Sequence, residues 1–321
     1  MSAPPDSPDG AYLDPALVER TAGALGVDEA FVEKDWHVVR ILHALGELTY
    51  EDCKLVFGGG TSLSKAYGLI KRFSEDIDFR ATPSTTVCTL SEGKRRSFRK
   101  AVERAIESIG YHIDEDRTER RNGNRMFTLY VPFTPSFSHS TLRTDVKMEV
   151  TLEGPWLPAK SAPVGSFVGR FQGAPPEVAA ITCVDPVETA ADKLAALSWR
   201  VFEHRNLPDT ATPPGKARDR SLVRHVHDLC ALEHSVVDDE RFKPLLIDLF
   251  DRDGQRGKDT RDERPTDPSE LAKRMCEVLL APPFPDDYRQ FVRNVVYGHP
   301  IPDYENAIDA LRRLATYLTQ P

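Results

Sequence analysis

Residues 54–79 read KLVFGGGTSLSKAYGLIKRFSEDIDF, and this stretch restricts the fold more than any other. Leu55, Val56 and Phe57 form an apolar strand that runs into Gly58, Gly59 and Gly60. Thr61 and Ser62 then open a short helix, and a second strand begins near Asp76. Side chains at i and i+2 of a strand share a face, so Asp76 and Asp78 point one way while Ile77 and Phe79 point into a core. Glycines let the backbone approach a phosphate, and a helix start offers unpaired N–H groups and a positive dipole end. Two carboxylates beside such a cradle have the chemistry of a Mg²⁺ or Mn²⁺ site for phosphoryl or nucleotidyl transfer. A lone Asp-x-Asp is usually a solvated strand end, and a lone Gly-Gly-Gly is usually a turn. The ordered combination is what carries the reading.

Transfer of a nucleoside monophosphate from an NTP needs in-line attack, with cations holding the attacking and leaving oxygens. Two cations call for a third carboxylate. The run Thr144–Val150 alternates, with Asp145, Lys147 and Glu149 opposite Val146, Met148 and Val150. Glu149 is the favoured third ligand because it lies deeper in the apolar run, and Asp145 is the reserve; a polar strand face in water is the plain alternative. Gly59, Gly60 and Ser62 are the expected phosphate contacts, and Thr61 is read as a helix start. Lys65 either reaches a phosphate or is a solvated helix lysine, the second being preferred. Walker-type and dinucleotide-type glycine motifs are missing, as is any Ser-His-Asp or Cys-His pattern.

The 321 residues suffice for two modest domains, and 29% charged with 40% hydrophobic residues is ordinary for a globular chain. No apolar span is long enough for a membrane. The start, MSAPPDSPDG, reads as a disordered tail and not as a signal peptide. Cys53, Cys88, Cys183, Cys230 and Cys276 have no paired spacing and read as free thiols of a reducing cytoplasm. A net charge of −8 argues against nonspecific coating of nucleic acid. Two local basic runs, Lys94–Lys100 and Arg117–Arg125, are either RNA contacts or solvated faces.

Asp14-Pro15 and Asp28 mark the starts of helices near 15–24 and 29–47. Further helices are expected at 61–70 and 91–109, and strands at 54–58, 76–81, 125–131 and 144–152, the last two joined by a hairpin-like loop at 132–140. A Pro- and Gly-rich stretch at 154–176 separates the halves. The pattern beyond is helical, at 186–203, 219–233, 239–251, 269–281, 285–296 and 303–319, with a charged loop at 252–268. The fold class is therefore α+β: a small mixed sheet first, then a helical C-terminal domain.

Gly59-Gly60-Thr61-Ser62-Leu63, followed by Arg72-Phe73-Ser74-Glu75-Asp76-Ile77-Asp78, resembles the signature of the AbiEii-type nucleotidyltransferase toxins. That group includes the MenT toxins and belongs to the polymerase-β-like superfamily. The resemblance extends to Val32–Trp36, to Glu188–Leu197 with Arg200, and to His225–Leu229, so it covers residues 30–230. The last block departs from the family's Arg-Asp-x-x-Asp-Leu form, because His225 stands near where an acidic residue is common.

The resemblance implies a nucleotidyltransferase core over 1–165 and a helical domain over 166–321 that closes the active cleft. It implies that Lys193 contacts the nucleotide; Glu188 or Asp192 would be its blander partner. It also implies catalytic importance for Asp228, which would orient Lys193 or Arg200 or assist the incoming hydroxyl, unless it is a surface residue paired with Arg224. His225 and His227, two apart on a helix, lie on different faces and do not share a metal. Lys34, Asp35 and Trp36 read as packing and ion pairing. The implied activity is NMP transfer from an NTP to RNA, with the tRNA 3′ end as target and a cognate antitoxin as partner. Transfer to a protein side chain, or nucleotide or RNA binding without turnover in abortive infection, are the alternatives. The preferred NTP stays open.

Overall fold

The computed structural model describes residues 12–50, 53–83, 90–140, 142–207, 218–254, 264–298 and 300–318. The N-terminal tail, Cys88 and most of the charged loop at 252–268 lie outside the described residues. The chain falls into two compact units. One holds residues 1–68 and 73–184, the other 69–72 and 185–321.

In the first unit, α1 (Pro15–Leu25) and α2 (Glu29–Gly46) lead to β1 (Cys53–Gly58), α3 (Gly59–Lys65), β2 (Asp76–Pro83) and α4 (Glu92–Ser108). Then come β3 (Glu119–Arg121), β4 (Met126–Pro132), β5 (Asp145–Thr151), β6 (Lys160–Val164), α5 (Phe167–Phe171) and β7 (Val178–Cys183). The first two helices start as their caps dictate: Asp14 accepts the Ala16 N–H at 3.0 Å and Asp28 accepts that of Ala30 at 2.9 Å. Among the described residues the seven strands form one mixed sheet in the order β3-β4-β5-β2-β1-β7-β6. β2 is antiparallel to β1 and parallel to β5, and β4 is antiparallel to β5. Phe57, Ile77, Phe79, Leu129 and Met148 share one core with Val38 and Leu42 of α2 and Phe98 and Val102 of α4.

Four of these strands were legible in the sequence, and β3, β6 and β7 were not. β7 runs parallel to β1 through Phe57 and Cys183, and β6 pairs with β7. The stretch expected to separate the halves is thus partly sheet, and the division falls after Val184 and not near 165. α3 also ends at Lys65, short of residue 70. Gly68 follows with φ +64°, and Leu69–Arg72 belongs to the second unit, where Arg72 makes an isolated bridge with Val296.

The second unit comprises α6 (Pro186–Arg200), α7 (Leu222–Val236), α8 (Phe242–Gly254), α9 (Pro268–Leu280), α10 (Phe284–Val295) and α11 (Tyr304–Ala315). Asp185, Asp267 and Asp303 cap α6, α9 and α11 with their side chains. Leu194, Leu229, Leu246 and Leu311 are buried between these helices. Cys53, Cys183, Cys230 and Cys276 are free thiols. No helix among the described residues is long and apolar enough to cross a membrane.

Candidate active site

β2 carries Ile77, Phe79 and Ala81 on its buried face and Asp76, Asp78 and Arg80 on the other, as a period of two requires. The parallel register sets Asp76 opposite Lys147 and Asp78 opposite Glu149. Register partners share a face, so Asp78 and Glu149 stand side by side. On its other edge, β2 places Asp78 opposite Gly58 of β1. Gly59 has φ +69°, and a Cβ built on it would lie 2.7 Å from Asp78 Cγ and 2.9 Å from Asp78 Cβ. The glycine turn is therefore pressed onto the Asp78 carboxylate, and only glycine fits there in both conformation and space.

The hydroxyls of α3 are turned inward. Thr61 donates to the backbone carbonyl of Asp76, and Ser62 donates to the carbonyl of Gly59 at 3.0 Å. Both side chains and Gly60 are buried. Thr61 thus does more than start a helix, because it ties that helix to the first residue of β2. Lys65 is not the solvated lysine expected from the sequence. It is buried, paired with Asp35, and its ammonium lies 3.7 Å from the Phe167 ring centroid. Burial pulls the Lys65 ammonium below its ordinary value and pushes the Asp35 carboxyl above its own.

Glu33, Lys34 and Asp35 are consecutive charged residues, all buried, and each fastens a different segment. Glu33 accepts the N–H groups of Ser136 and Phe137 at 2.7 and 3.1 Å. Lys34 donates to Glu75 at 2.6 Å and to the Arg143 carbonyl at 2.9 Å. Asp35 accepts the Phe167 N–H at 2.8 Å besides holding Lys65. This block fastens the loops around β2.

Cations lie against Glu75, Asp76 and Glu149. Arg143 bonds Asp76 and lies 3.8 Å from Glu75, and Lys147 bonds Glu149. Asp145, the reserve ligand, is buried and bonded to Arg117 at 2.7 Å. Among the described residues no three His, Cys, Asp or Glu side chains converge into a group that could hold a metal ion. The donor chemistry still suits a hard divalent cation. Asp78 and Glu149 are adjacent oxygen donors on a half-open face, above a turn that lacks a Cβ.

In the helical unit, Asp228 on α7 is fully buried and accepts Arg72 Nε and Nη2, each at 2.7 Å, while Lys193 on α6 lies 2.8 Å from its Oδ2. Burial opposes ionisation of Asp228, but Arg72 and Lys193 hold its carboxyl well below the usual range. Asp228 is thus neither a surface residue paired with Arg224 nor the partner of Arg200. Arg200 bonds Asp219, the Ser221 hydroxyl at 2.8 Å and His225 Nε2 at 2.9 Å. Burial, then Lys193 and Arg200, push His225 far below its ordinary value and leave a neutral ring to accept that bond. His227 faces Asp228 at 3.5 Å. Glu188 is buried on α6, and Asp192 bonds Arg252 at 3.2 Å.

Arg72 and Arg143 were missed as site residues. Arg72 stood inside the quoted motif, and a cation beside three carboxylates in Arg-Phe-Ser-Glu-Asp-Ile-Asp was the available signal. Arg143 had none beyond its place before the Asp145 strand.

A family model described as nucleotidyl transferase AbiEii toxin, type IV TA system, matches residues 40–310. The fold is similar to that of MenT4, a nucleotidyltransferase toxin from Mycobacterium tuberculosis H37Rv, with a TM-score of 0.58 at 20% identity, covering 97% of this chain and 91% of that one. No curated protein matches the chain.

Proposed function

Since this chain belongs to the AbiEii family of nucleotidyltransferase toxins, a type IV toxin–antitoxin family, we propose that it moves NMP from an NTP to an RNA 3′ hydroxyl, the tRNA acceptor end being the target. Asp78, Glu149 and Asp76 are the ligands for Mg²⁺ or Mn²⁺ in this reading. Asp76 and Glu149 must exchange Arg143 and Lys147 for the ion. When bound, the cations supply charge neutralisation at the α-phosphorus and at the attacking and leaving oxygens. Gly59, Gly60 and Ser62 line the place of the β and γ phosphates, where the absence of side chains on the turn lets oxygens come close. Lys193 supplies a positive charge to the triphosphate, and Asp228 fixes that ammonium without consuming it, because Arg72 balances the carboxylate. Lys65 is bound to Asp35 and is left out of the phosphate set.

The observation that carries this reading is the lateral pairing of Asp78 with Glu149 beside the Gly59 turn. NTP and tRNA place the reaction in the cytoplasm, where a cognate antitoxin restrains it. The purified protein is incubated with each labelled NTP in turn, Mg²⁺ and total tRNA. Label on RNA with one or more nucleotides is expected. Label on protein assigns a different acceptor, and no label on either overturns the reading.

A further inference from the structure

The two basic runs, 94–100 and 117–125, are separate in sequence and meet in the sheet unit. α4 buries Phe98, Val102 and Ile106 and exposes Lys94, Arg96, Lys100 and Arg104. Arg96, Lys100 and Arg104 are spaced by four and line one ridge of the helix. Arg95 and Arg99 are used differently. Arg95 Nε donates to the Gly123 carbonyl at 2.6 Å, and Arg99 Nε donates to Asn124 Oδ1 at 3.2 Å. They pin the β3–β4 turn to α4. Asn122, Gly123 and Asn124 all adopt left-handed conformations there, with φ of 49°, 60° and 60°. The exposed Arg121 and Arg125 flank that turn, so the two runs make one surface.

Acidic neighbours answer only part of this charge. Glu119 pairs with Arg121, Glu115 with Arg120, and Glu92 lies 3.8 Å from Arg96. Lys100, Arg104 and Arg125 make no ion pair among the described residues. The surface also leads somewhere. Glu119, Thr128, Glu149 and Asp78 are successive register partners across β3, β4, β5 and β2. Arg121, Met126, Thr151 and Arg80 form the neighbouring row on the same face. A cavity of 140 Å³ lined by Arg121, Thr128, Lys147 and Glu149 lies along these rows.

We propose that this surface, from the α4 ridge over the β3 edge of the sheet, tracks the phosphate backbone of the RNA acceptor and leads its 3′ end toward Glu149 and Asp78. Cations on an otherwise acidic chain of net charge −8 give the local attraction that a polyanion needs. The inference rests on the reading that the acceptor is RNA.

The test compares two triple variants of equal charge change. Lys100→Gln/Arg104→Gln/Arg125→Gln removes the unpaired cations of the surface, and Lys273→Gln/Arg274→Gln/Arg293→Gln alters exposed cations of the helical unit. Binding of total tRNA is followed by fluorescence anisotropy between about 50 and 200 mM salt, with the NTP KM measured in parallel. The first variant is expected to bind about tenfold more weakly at low salt, with a log–log salt slope shallower by about two to three, and to keep its NTP KM. The second is expected to match the wild type. Equal behaviour of the two variants overturns the inference. Salt-steep tRNA binding that is lost in the first variant, without label transfer to RNA by the wild type, upholds the surface and overturns only the reaction.

Discussion

Arg72 grips both oxygens of Asp228, Nε and Nη2 each at 2.7 Å, with the two side chains buried. A planar fork matched to a carboxylate is the strongest ion-pair geometry that side chains offer. It lets Asp228 stay charged away from water, and Lys193 then docks on the oxygen it shares. Arg72→Leu should destabilise the protein by about 3–5 kcal/mol, because it strands a buried charge. Arg72→Lys keeps the charge without the fork and should cost less. The shift in urea midpoint measures both. The folded-state pKa of Asp228 is depressed, so its contribution is whole above about pH 4 and drains as pH falls toward the lowered value. The acid-side slope of stability should therefore flatten in Arg72→Leu.

Gly59 and Gly68 both have positive φ, +69° and +64°, but a Cβ on Gly68 meets nothing within 4 Å whereas one on Gly59 meets Asp78. Gly68→Ala should lose about 1 kcal/mol and keep its transfer rate. Gly59→Ala should displace the Asp78 carboxylate and lower the transfer rate by about 10²-fold or more, since small misplacements at a reacting centre are amplified. Rates with the labelled NTP and melting curves separate the two. Equal rates would show that the turn does not set the carboxylate.

Asp78 of β2 and the two acids of β5, Glu149 and Asp145, should respond differently. Asp78→Asn should abolish transfer, and Glu149→Gln should raise the Mg²⁺ concentration needed for half-maximal rate. Asp145→Asn removes the partner of Arg117 and should lower stability while leaving the Mg²⁺ dependence in place. A Mg²⁺ titration of all three variants makes the comparison. A shifted Mg²⁺ requirement in Asp145→Asn alone would exchange the assignments.

His37 bonds the Tyr111 hydroxyl at 2.5 Å and stacks on Phe133 with ring centroids 4.2 Å apart. Burial, with Arg40 and Lys34 nearby, lowers its pKa to about 3. The unfolded ring binds a proton near pH 6.5. Its contribution to stability is therefore full above about pH 6.5 and is lost progressively as pH falls toward 3. His37→Gln should show a shallower loss of stability than the wild type between about pH 6.5 and 4, measured by urea unfolding across that window.

Local patterns announced much of this protein. The six C-terminal helices begin within a few residues of their expected starts, because caps such as Asp185-Pro186 and Asp303 are written in adjacent residues. The common face of Asp76 and Asp78 followed from strand period alone. β6 and β7 were invisible because β6 is short and holds Pro163 at a sheet edge, and β7 pairs with β1, which lies more than 100 residues earlier.

Which acid stands next to Asp78 is a matter of β2–β5 register, and a slip of one residue would have turned Glu149 to the other face. Which cation holds Asp228 required Arg72, in the segment beyond the end of α3, to pack among helices far along the chain, 156 positions from its partner. Caps, periods and glycine turns act between neighbours and are spelled out by composition and spacing. Strand register and buried ion pairs are choices among remote partners, decided only when packing excludes water and makes every unmatched charge expensive.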